Sequence, residues 1–446
     1  MDTDVIVVGA GAAGIAAALE LTARSLRVVV LEARDRIGGR VMWERVGSEN
    51  VPAELGAEYI HGDAPETTAF MRAAGLTAVE TGDASWTCGD DGVLRPSEDD
   101  FSAGTIFEGV HALPQDESVD TFLRRYANDP EWRETAQRAR TFVEGFEAAD
   151  PLIASARSIA DELNSGVDDR SSRPVGSYAP LFASLGERCA SEGVELRLHT
   201  AVEHIAWEAR SVSVSVRARS ADAGAFVLRA RCVIITVPVG VLQQGAGAAP
   251  LAFAPELPAA KREAIHGLAM GDVVRVTLAF RSAFWETIAN GRYRDAAFFR
   301  CDGGPFGAFW TQMPLRTRTI VAWAGGPRAT AMRGMSAQER IERARDAFGT
   351  MIGEPQRTRD EFEGGVTHDW TADPFACGAY SYVVTGAATA RAMLGESIDD
   401  TLFFAGEATS TDGQGGTVSG AFESGQRAAT AAARAFAGTG ASTAGP

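Results

Sequence analysis

Six residues near the start, Gly9-Ala10-Gly11-Ala12-Ala13-Gly14, constrain this chain more than any other stretch. They follow the apolar run Asp4–Val8, whose unbroken hydrophobicity predicts a strand buried on both faces. They precede Ile15–Ala23, rich in Ala and Leu, which predicts a helix. A second apolar strand, Arg27–Leu31, then ends at Glu32. The glycines permit a tight turn, close approach of backbone to a pyrophosphate, and close packing of helix on strand. The helix N-terminus adds free N–H groups and partial positive charge. Glu32 lies 18 residues past Gly14, near the roughly 20 expected of a ribose-binding acid. A carboxylate there argues against the 2′-phosphate of NADP.

With 446 residues, the chain exceeds what one core usually serves, and two domains are expected. The fully apolar strand Cys232–Val237 and the strand Thr401–Ala405 lie far from the first unit. If all join one sheet, the cofactor domain is built from separated pieces: 1–82, 188–247 and 368–446. Residues 83–187 and 248–367 then make a mixed-sheet and helical substrate domain. Glu117–Ala149 reads as helices broken at Pro130, Pro180–Glu192 and Ala337–Ile352 as single helices, and Gly271–Phe280 as a strand. Gly245–Pro250 reads as a loop and Ala437–Pro446 as a frayed end.

Composition narrows the function. The formal charge of −17 disfavours nucleic acid and anionic membrane as partners and favours small cations. Five scattered cysteines form no CxxC pair, so no metal site is expected and reduced thiols in the cytoplasm fit best. No run approaches the roughly 18 apolar residues of a membrane span, and no basic leader precedes Val5.

Beyond the second strand, Glu32-Ala33-Arg34-Asp35-Arg36-Ile37-Gly38-Gly39-Arg40 has no use in a nicotinamide enzyme. It resembles the strand acid, Arg and Gly-Gly-Arg motif of the flavin-containing amine oxidases, most closely their polyamine oxidase and histone demethylase branch. The resemblance returns in Leu55–Gly62, Thr236–Leu242, Phe280–Trp285, Trp370–Tyr382 and Phe403–Ala421. It implies an α/β fold with a Rossmann-like FAD-binding domain. It implies that Gly9, Gly11, Gly14, Glu32, Arg34, Gly39 and Arg40 hold the ADP half, with the Val202 backbone at the adenine. Gly406 and Glu407 would lie by the pyrophosphate and ribitol, Trp370 near the ring, and Val418 under it. Monoamine oxidases carry their flavin-linking cysteine just before the first cage tyrosine; here that residue is Ala379, and Cys377 is two residues off, so FAD is expected to be non-covalent.

The same resemblance points to the substrate. Gly56-Ala57-Glu58-Tyr59-Ile60-His61-Gly62 is similar to the polyamine oxidase pattern and lacks the arginine with which amino-acid oxidases grip a carboxylate. His61 would share a proton with the reacting amine, since an ordinary imidazole titrates near 6.5. Tyr380 would offer an aromatic face to the amine, with Thr417 opposite and Tyr59 alongside. Arg275 stands where the family usually carries a lysine that holds a water at flavin N5; Lys261 aligns elsewhere. Glu144, Glu147 and Asp150 follow a helical repeat and could receive a distal ammonium, with Glu58 as a second candidate nearer the flavin. The implied reaction is hydride transfer from a spermidine- or spermine-class polyamine to N5, giving imine and then aldehyde and amine. Molecular oxygen would reoxidise the flavin and yield hydrogen peroxide. A monoamine or diamine oxidase, a histone-demethylase-like protein and another FAD-dependent desaturase or dehydrogenase stay open.

Overall fold

The computed structural model describes residues 1–89, 91–97, 100–167, 170–218, 224–244 and 251–437. The expected loop at Gly245–Pro250 and the tail beyond residue 437 lie outside them.

The separated strands meet in one parallel sheet. Its order is Glu195–Arg197, Val28–Leu31, Val5–Val8, Cys232–Ile235, Leu402–Phe404. Val5–Val8 is central and wholly buried, which is why its sequence shows no polar alternation. The helix Ala12–Thr22 covers one face together with the last helix, Val418–Ala437. These two helices nearly touch: a Cβ on Gly425 would lie 2.1 Å from the Ala13 carbonyl oxygen, so only glycine fits. On the other face lies a four-stranded sheet, Ala225–Ala230, Ser211–Ala218, Thr200–Glu208 and Ala252–Ala254.

A seven-stranded sheet forms the second layer system. Its order is Phe362–Thr367, Val273–Phe280, Thr319–Gly325, Ala308–Trp310, Phe298–Arg300, Ser85–Cys88, Leu94–Ser97. Val273–Phe280 is buried at every position, and its outer face packs a large aromatic core around Phe280, Trp285 and Phe348. Helices Arg133–Gly145 and Ala156–Leu163 bury a further apolar cluster. A small sheet of Ile60–His61, Ser171–Pro174 and Ala78–Glu80 bridges toward the cofactor side.

Sequence and structure differ at some ends. Cys232–Ile235 stops before Val237, because Pro238 begins the short helix Val239–Leu242. The expected helical stretch to Ala149 stops at Gly145, and Ala148 adopts φ 50°. Glu144, Glu147 and Asp150 are therefore not three steps along one helix face.

Candidate functional site

A single cavity of about 1910 Å³ runs from the first glycine turn, across the sheet ends, into the space beneath the seven-stranded sheet. Ligand pockets commonly measure roughly 300–1,000 Å³. This one has room for a dinucleotide and a second ligand end to end.

At one end, the helix Ala12–Thr22 opens into the cavity with Gly11 as its N-cap and no capping side chain. Its first-turn N–H groups are left for an anion. Gly14 keeps the turn tight: a Cβ there would lie 1.9 Å from the Gly9 oxygen. Glu32 is buried at the cavity wall. Its Oε2 accepts from the Ala10 N–H at 2.7 Å and its Oε1 from the Arg34 N–H at 2.9 Å. Each oxygen keeps a second lone pair for a hydroxyl. Arg34 is locked by a two-pronged pair with Asp373 at 2.7 and 2.8 Å. Arg40 donates to Glu407 and to the Ala379 carbonyl, both at 2.8 Å. Burial raises the proton affinity of Glu407, but Arg40 and Arg391 outweigh it and hold the acid ionised. Gly9, Gly39, Val202 and Gly406 line the same wall, Val202 beside a bulge in Thr200–Glu208. Trp370 is buried there and donates to the Leu55 carbonyl at 2.8 Å.

Further in, the cavity is flanked by His61, Tyr59, Phe146, Tyr380, Thr417 and Val418. The pairing of Ile60–His61 with Ser171–Ser172 fixes His61, whose Nδ1 lies 3.1 Å from Ser171 Oγ. Phe146 meets its ring edge-on at 5.4 Å. Burial lowers the imidazole to about 4, so it is neutral near pH 7 and its basicity falls well below the expected 6.5. Tyr380 donates its phenol to the Phe146 carbonyl, which turns the ring along the cavity wall. The Thr417 hydroxyl accepts from the Gly420 N–H at 3.0 Å and so caps the last helix, which begins at Val418.

Glu58 does not sit as a substrate acid should. Its Oε2 takes Arg275 at 2.6 Å and the Trp310 indole N–H at 3.1 Å. Its Oε1 takes Gln312 at 3.1 Å and Arg173 at 3.4 Å. Burial alone would raise its proton affinity, but the two guanidiniums hold it below the ordinary carboxylate range. Glu58 lines the cavity, but two guanidiniums already compensate its charge, which leaves little for a distal ammonium to gain there. The same network fixes Arg275, whose Nε donates to the Glu54 carbonyl at 2.7 Å. Arg275 lines the cavity as a braced strand residue, and its partner there is a carboxylate. Arg173 also donates to the Tyr59 hydroxyl at 3.0 Å, so Tyr59 is a fixed wall. Lys261 is remote: its Nζ donates to the carbonyls of Met393, Leu394 and Glu396 at a helix end.

Of the three acids placed on a helix, Glu144 lines the cavity but is paired with Arg140 at 3.3 Å. Asp150 accepts from the Leu152 N–H and is not on the wall. Glu147 lines the cavity beside Tyr380. Sequence reasoning missed Glu162, which lines the cavity from the helix Ala156–Leu163, and Arg173, which holds Glu58 and Tyr59. Neither belongs to a motif, and only the fold brings them here.

The model of the flavin-containing amine oxidoreductases matches residues 12–98 and 107–433. Lysine-specific histone demethylase 1B of Mus musculus is 26% identical over 96% of this chain and 52% of its own length. Probable polyamine oxidase 4 of Arabidopsis thaliana is 28% identical over 94% of this chain and 85% of its own. The chain thus spans about half the length of the demethylases it matches. Cyclohexylamine oxidase from Brevibacterium oxydans superposes with a TM-score of 0.80 at 22% identity, covering 98% of this chain and all of its own. The cradle, the neutral histidine and the match across both segments agree: the chain belongs to the flavin-containing amine oxidoreductases.

Proposed function

We propose that this protein is an FAD-dependent oxidase of polyamines of the spermidine and spermine class, with molecular oxygen as acceptor and hydrogen peroxide as product. The observation that carries the reading is one cavity joining a dinucleotide cradle to a neutral histidine, an aromatic wall and buried carboxylates. The cradle suits the ADP half of FAD: an uncapped helix start for the phosphates and a buried Glu32 with spare lone pairs for ribose hydroxyls. Bound FAD would supply the acceptor for a hydride from the carbon beside the amine nitrogen. Gly9, Gly11, Glu32, Arg34, Gly39 and Arg40 would hold and orient it, and Trp370 and Val418, which line the same cavity, would hold its ring.

His61 does the local proton work. With Nδ1 engaged by Ser171, Nε2 is the nitrogen available to an amine N–H. Its low basicity makes it a hydrogen-bond acceptor that orients a neutral amine, and keeps positive charge off the ring. Tyr380 supplies an aromatic face for the substrate. The flavin is non-covalent in this reading: Ala379 lines the cavity, whereas Cys377 is not on its wall and its Sγ lies 3.8 Å from the Pro374 carbonyl.

A peroxide assay over spermidine, spermine, putrescine, butylamine and a methyl-lysine peptide tests the reading. Spermidine and spermine are expected to give the highest kcat/KM. Turnover of butylamine or of the peptide, with none of polyamines, would overturn it. Acid precipitation is expected to leave yellow flavin in the supernatant; flavin in the pellet would show a covalent link.

A further inference from the structure

The strands Ser85–Cys88 and Phe298–Arg300 run parallel and side by side in the seven-stranded sheet. Phe299 pairs with Trp86 and Arg300 with Thr87, so the next step along both chains sets Cys301 beside Cys88. Both backbones are held there. The Cys301 N–H donates to the Gly307 carbonyl at 3.0 Å, and Cys88 pairs with Leu94 on its other side. Successive side chains of a strand point to opposite faces. Thr87 and Arg300 line the cavity, whereas Trp86 and Phe299 pack into the aromatic core on the far face. Cys88 packs against that core, and the alternation sends Cys301 to the same side. Neighbouring strands lie roughly 4.7–4.9 Å apart, within the roughly 4.4–6.8 Å between Cα atoms that a disulfide spans. Both thiols are free and partly exposed, and Cys301 is a hydrogen-bond partner of Cys88. The other cysteines differ: Cys189 and Cys232 are each 1% exposed, and the Cys377 Sγ lies 3.8 Å from the Pro374 carbonyl.

We propose that Cys88 and Cys301 are a paired-thiol modification site that a hydroperoxide closes to a disulfide. Burial, together with the hydrogen bond and charge of Cys301, pushes Cys88 up to about 12. Cys88 therefore keeps its proton, and Cys301 supplies the thiolate, the form that attacks peroxide. The Cys301 sulfur bonds to one peroxide oxygen, the O–O bond breaks and hydroxide leaves, which gives a sulfenic acid. The Cys88 sulfur then bonds to the Cys301 sulfur. The S–O bond breaks, and the departing hydroxide takes the Cys88 proton as water. In sum, two thiols lose two electrons and two protons, and one peroxide becomes two waters. The product ties the strand Ser85–Cys88 to the turn that begins at Asp302; Cys88, Asp302 and Gly307 all line the cavity. One source of the oxidant is the oxidase reaction proposed above, but the pair does not depend on that reading.

The test uses the flavin-loaded enzyme, reduced with dithiothreitol, freed of it and exposed to hydrogen peroxide without amine. Remaining thiols are capped with N-ethylmaleimide, and mass spectrometry reads the intact chain and its tryptic peptides. Free thiols are expected to fall from five to three. The peptide holding Cys88 should be joined to the one holding Cys301, and dithiothreitol should part them. In Cys88→Ser, Cys301 should stop at the sulfenic acid, which dimedone traps. In Cys301→Ser, dimedone labelling of Cys88 should be at least about 10-fold slower. Five capped thiols after peroxide, oxidation of Cys377 ahead of the pair, or a bridge between two chains would overturn the site. Spermidine in place of added peroxide separates the two readings. A link formed by peroxide but not by spermidine supports the pair and counts against the polyamine oxidase.

Discussion

Replacing Glu58 by glutamine tests whether this acid serves the fold or the substrate. The side chains of Glu58, Arg275 and Arg173 are each only 4% exposed. At an effective dielectric of about 20, Coulomb's law gives about 6 kcal/mol for the 2.6 Å contact with Arg275 and about 5 kcal/mol for the 3.4 Å contact with Arg173. Glutamine removes both. It also turns an amide NH₂ toward one of two donor pairs, either Trp310 with Arg275 or Gln312 with Arg173. Relaxation and water recover part of the loss, so a net cost of about 3–5 kcal/mol is expected, the usual range for an orphaned buried charge. The assay is urea denaturation followed by tryptophan fluorescence. In the Glu58→Gln background, Arg275→Met should cost far less than it does alone, with a coupling of at least about 1.5 kcal/mol. If Glu58→Gln is as stable as the parent and loses only its preference for dicationic amines, Glu58 is a substrate acid and the network argument fails.

Other changes probe the remaining parts of the site. His61→Ala should slow anaerobic flavin reduction by amine about 10²-fold, at the lower end for a positioned proton-handling group, with FAD content unchanged; stopped-flow reduction at the parental rate would leave the residue structural. The folded imidazole sits near 4 and the unfolded one near 6.5, so the parent should lose stability as pH falls through that window, because only the unfolded chain takes up the proton there. His61→Ala should flatten that acid limb, and an identical limb in pH-dependent melts would refute the burial argument. Glu32→Ala should lower FAD affinity at least tenfold, since hydrogen bonds to charged groups contribute about 1.5–3 kcal/mol each; a full flavin load after equilibrium dialysis at micromolar protein would exclude Glu32 as the ribose acid. Gly14→Ala puts a methyl 1.9 Å from a backbone oxygen that cannot swing aside, so flavin-loaded protein should not be recovered, whereas Ala13→Gly should still bind flavin.

The parts of the site that were legible in the sequence are those made by short stretches of chain. Gly9–Gly14 and Glu32 act through backbone of one strand–turn–helix–strand unit, whereas Glu407 is held by Arg40 and Ser381 from elsewhere in the chain and is legible only through its motif. The bracing of Glu58 is invisible in the sequence because its partners come from residues 173, 275, 310 and 312, whose adjacency no local pattern records. The spacing of Glu144, Glu147 and Asp150 mimicked a helix face, yet the helix ends at Gly145 and leaves only Glu147 with its carboxylate unpaired at the wall. Arg275 departs from the family lysine in the sequence itself, but its partner Glu58 is visible only in the fold. The basicity of His61 was hidden for a related reason, since burial is a property of everything packed around a residue.

The strand Leu402–Phe404 closes one edge of the parallel sheet, and the helix Val418–Ala437 lies against Ala12–Thr22. During synthesis, the glycine turn and its first two strands therefore emerge long before the elements that complete their hydrophobic surroundings. At roughly 5–20 residues per second, the wait between Leu31 and Leu402 lasts on the order of 20–75 s. Through that interval Val5–Val8 has no Cys232–Ile235 beside it for about half the time, and the face of Ala12–Thr22 that meets Val418–Ala437 stays uncovered throughout. Nascent chains arrested before residue 402 should accordingly bind chaperones and fail to retain flavin, although they carry every residue of the glycine motif.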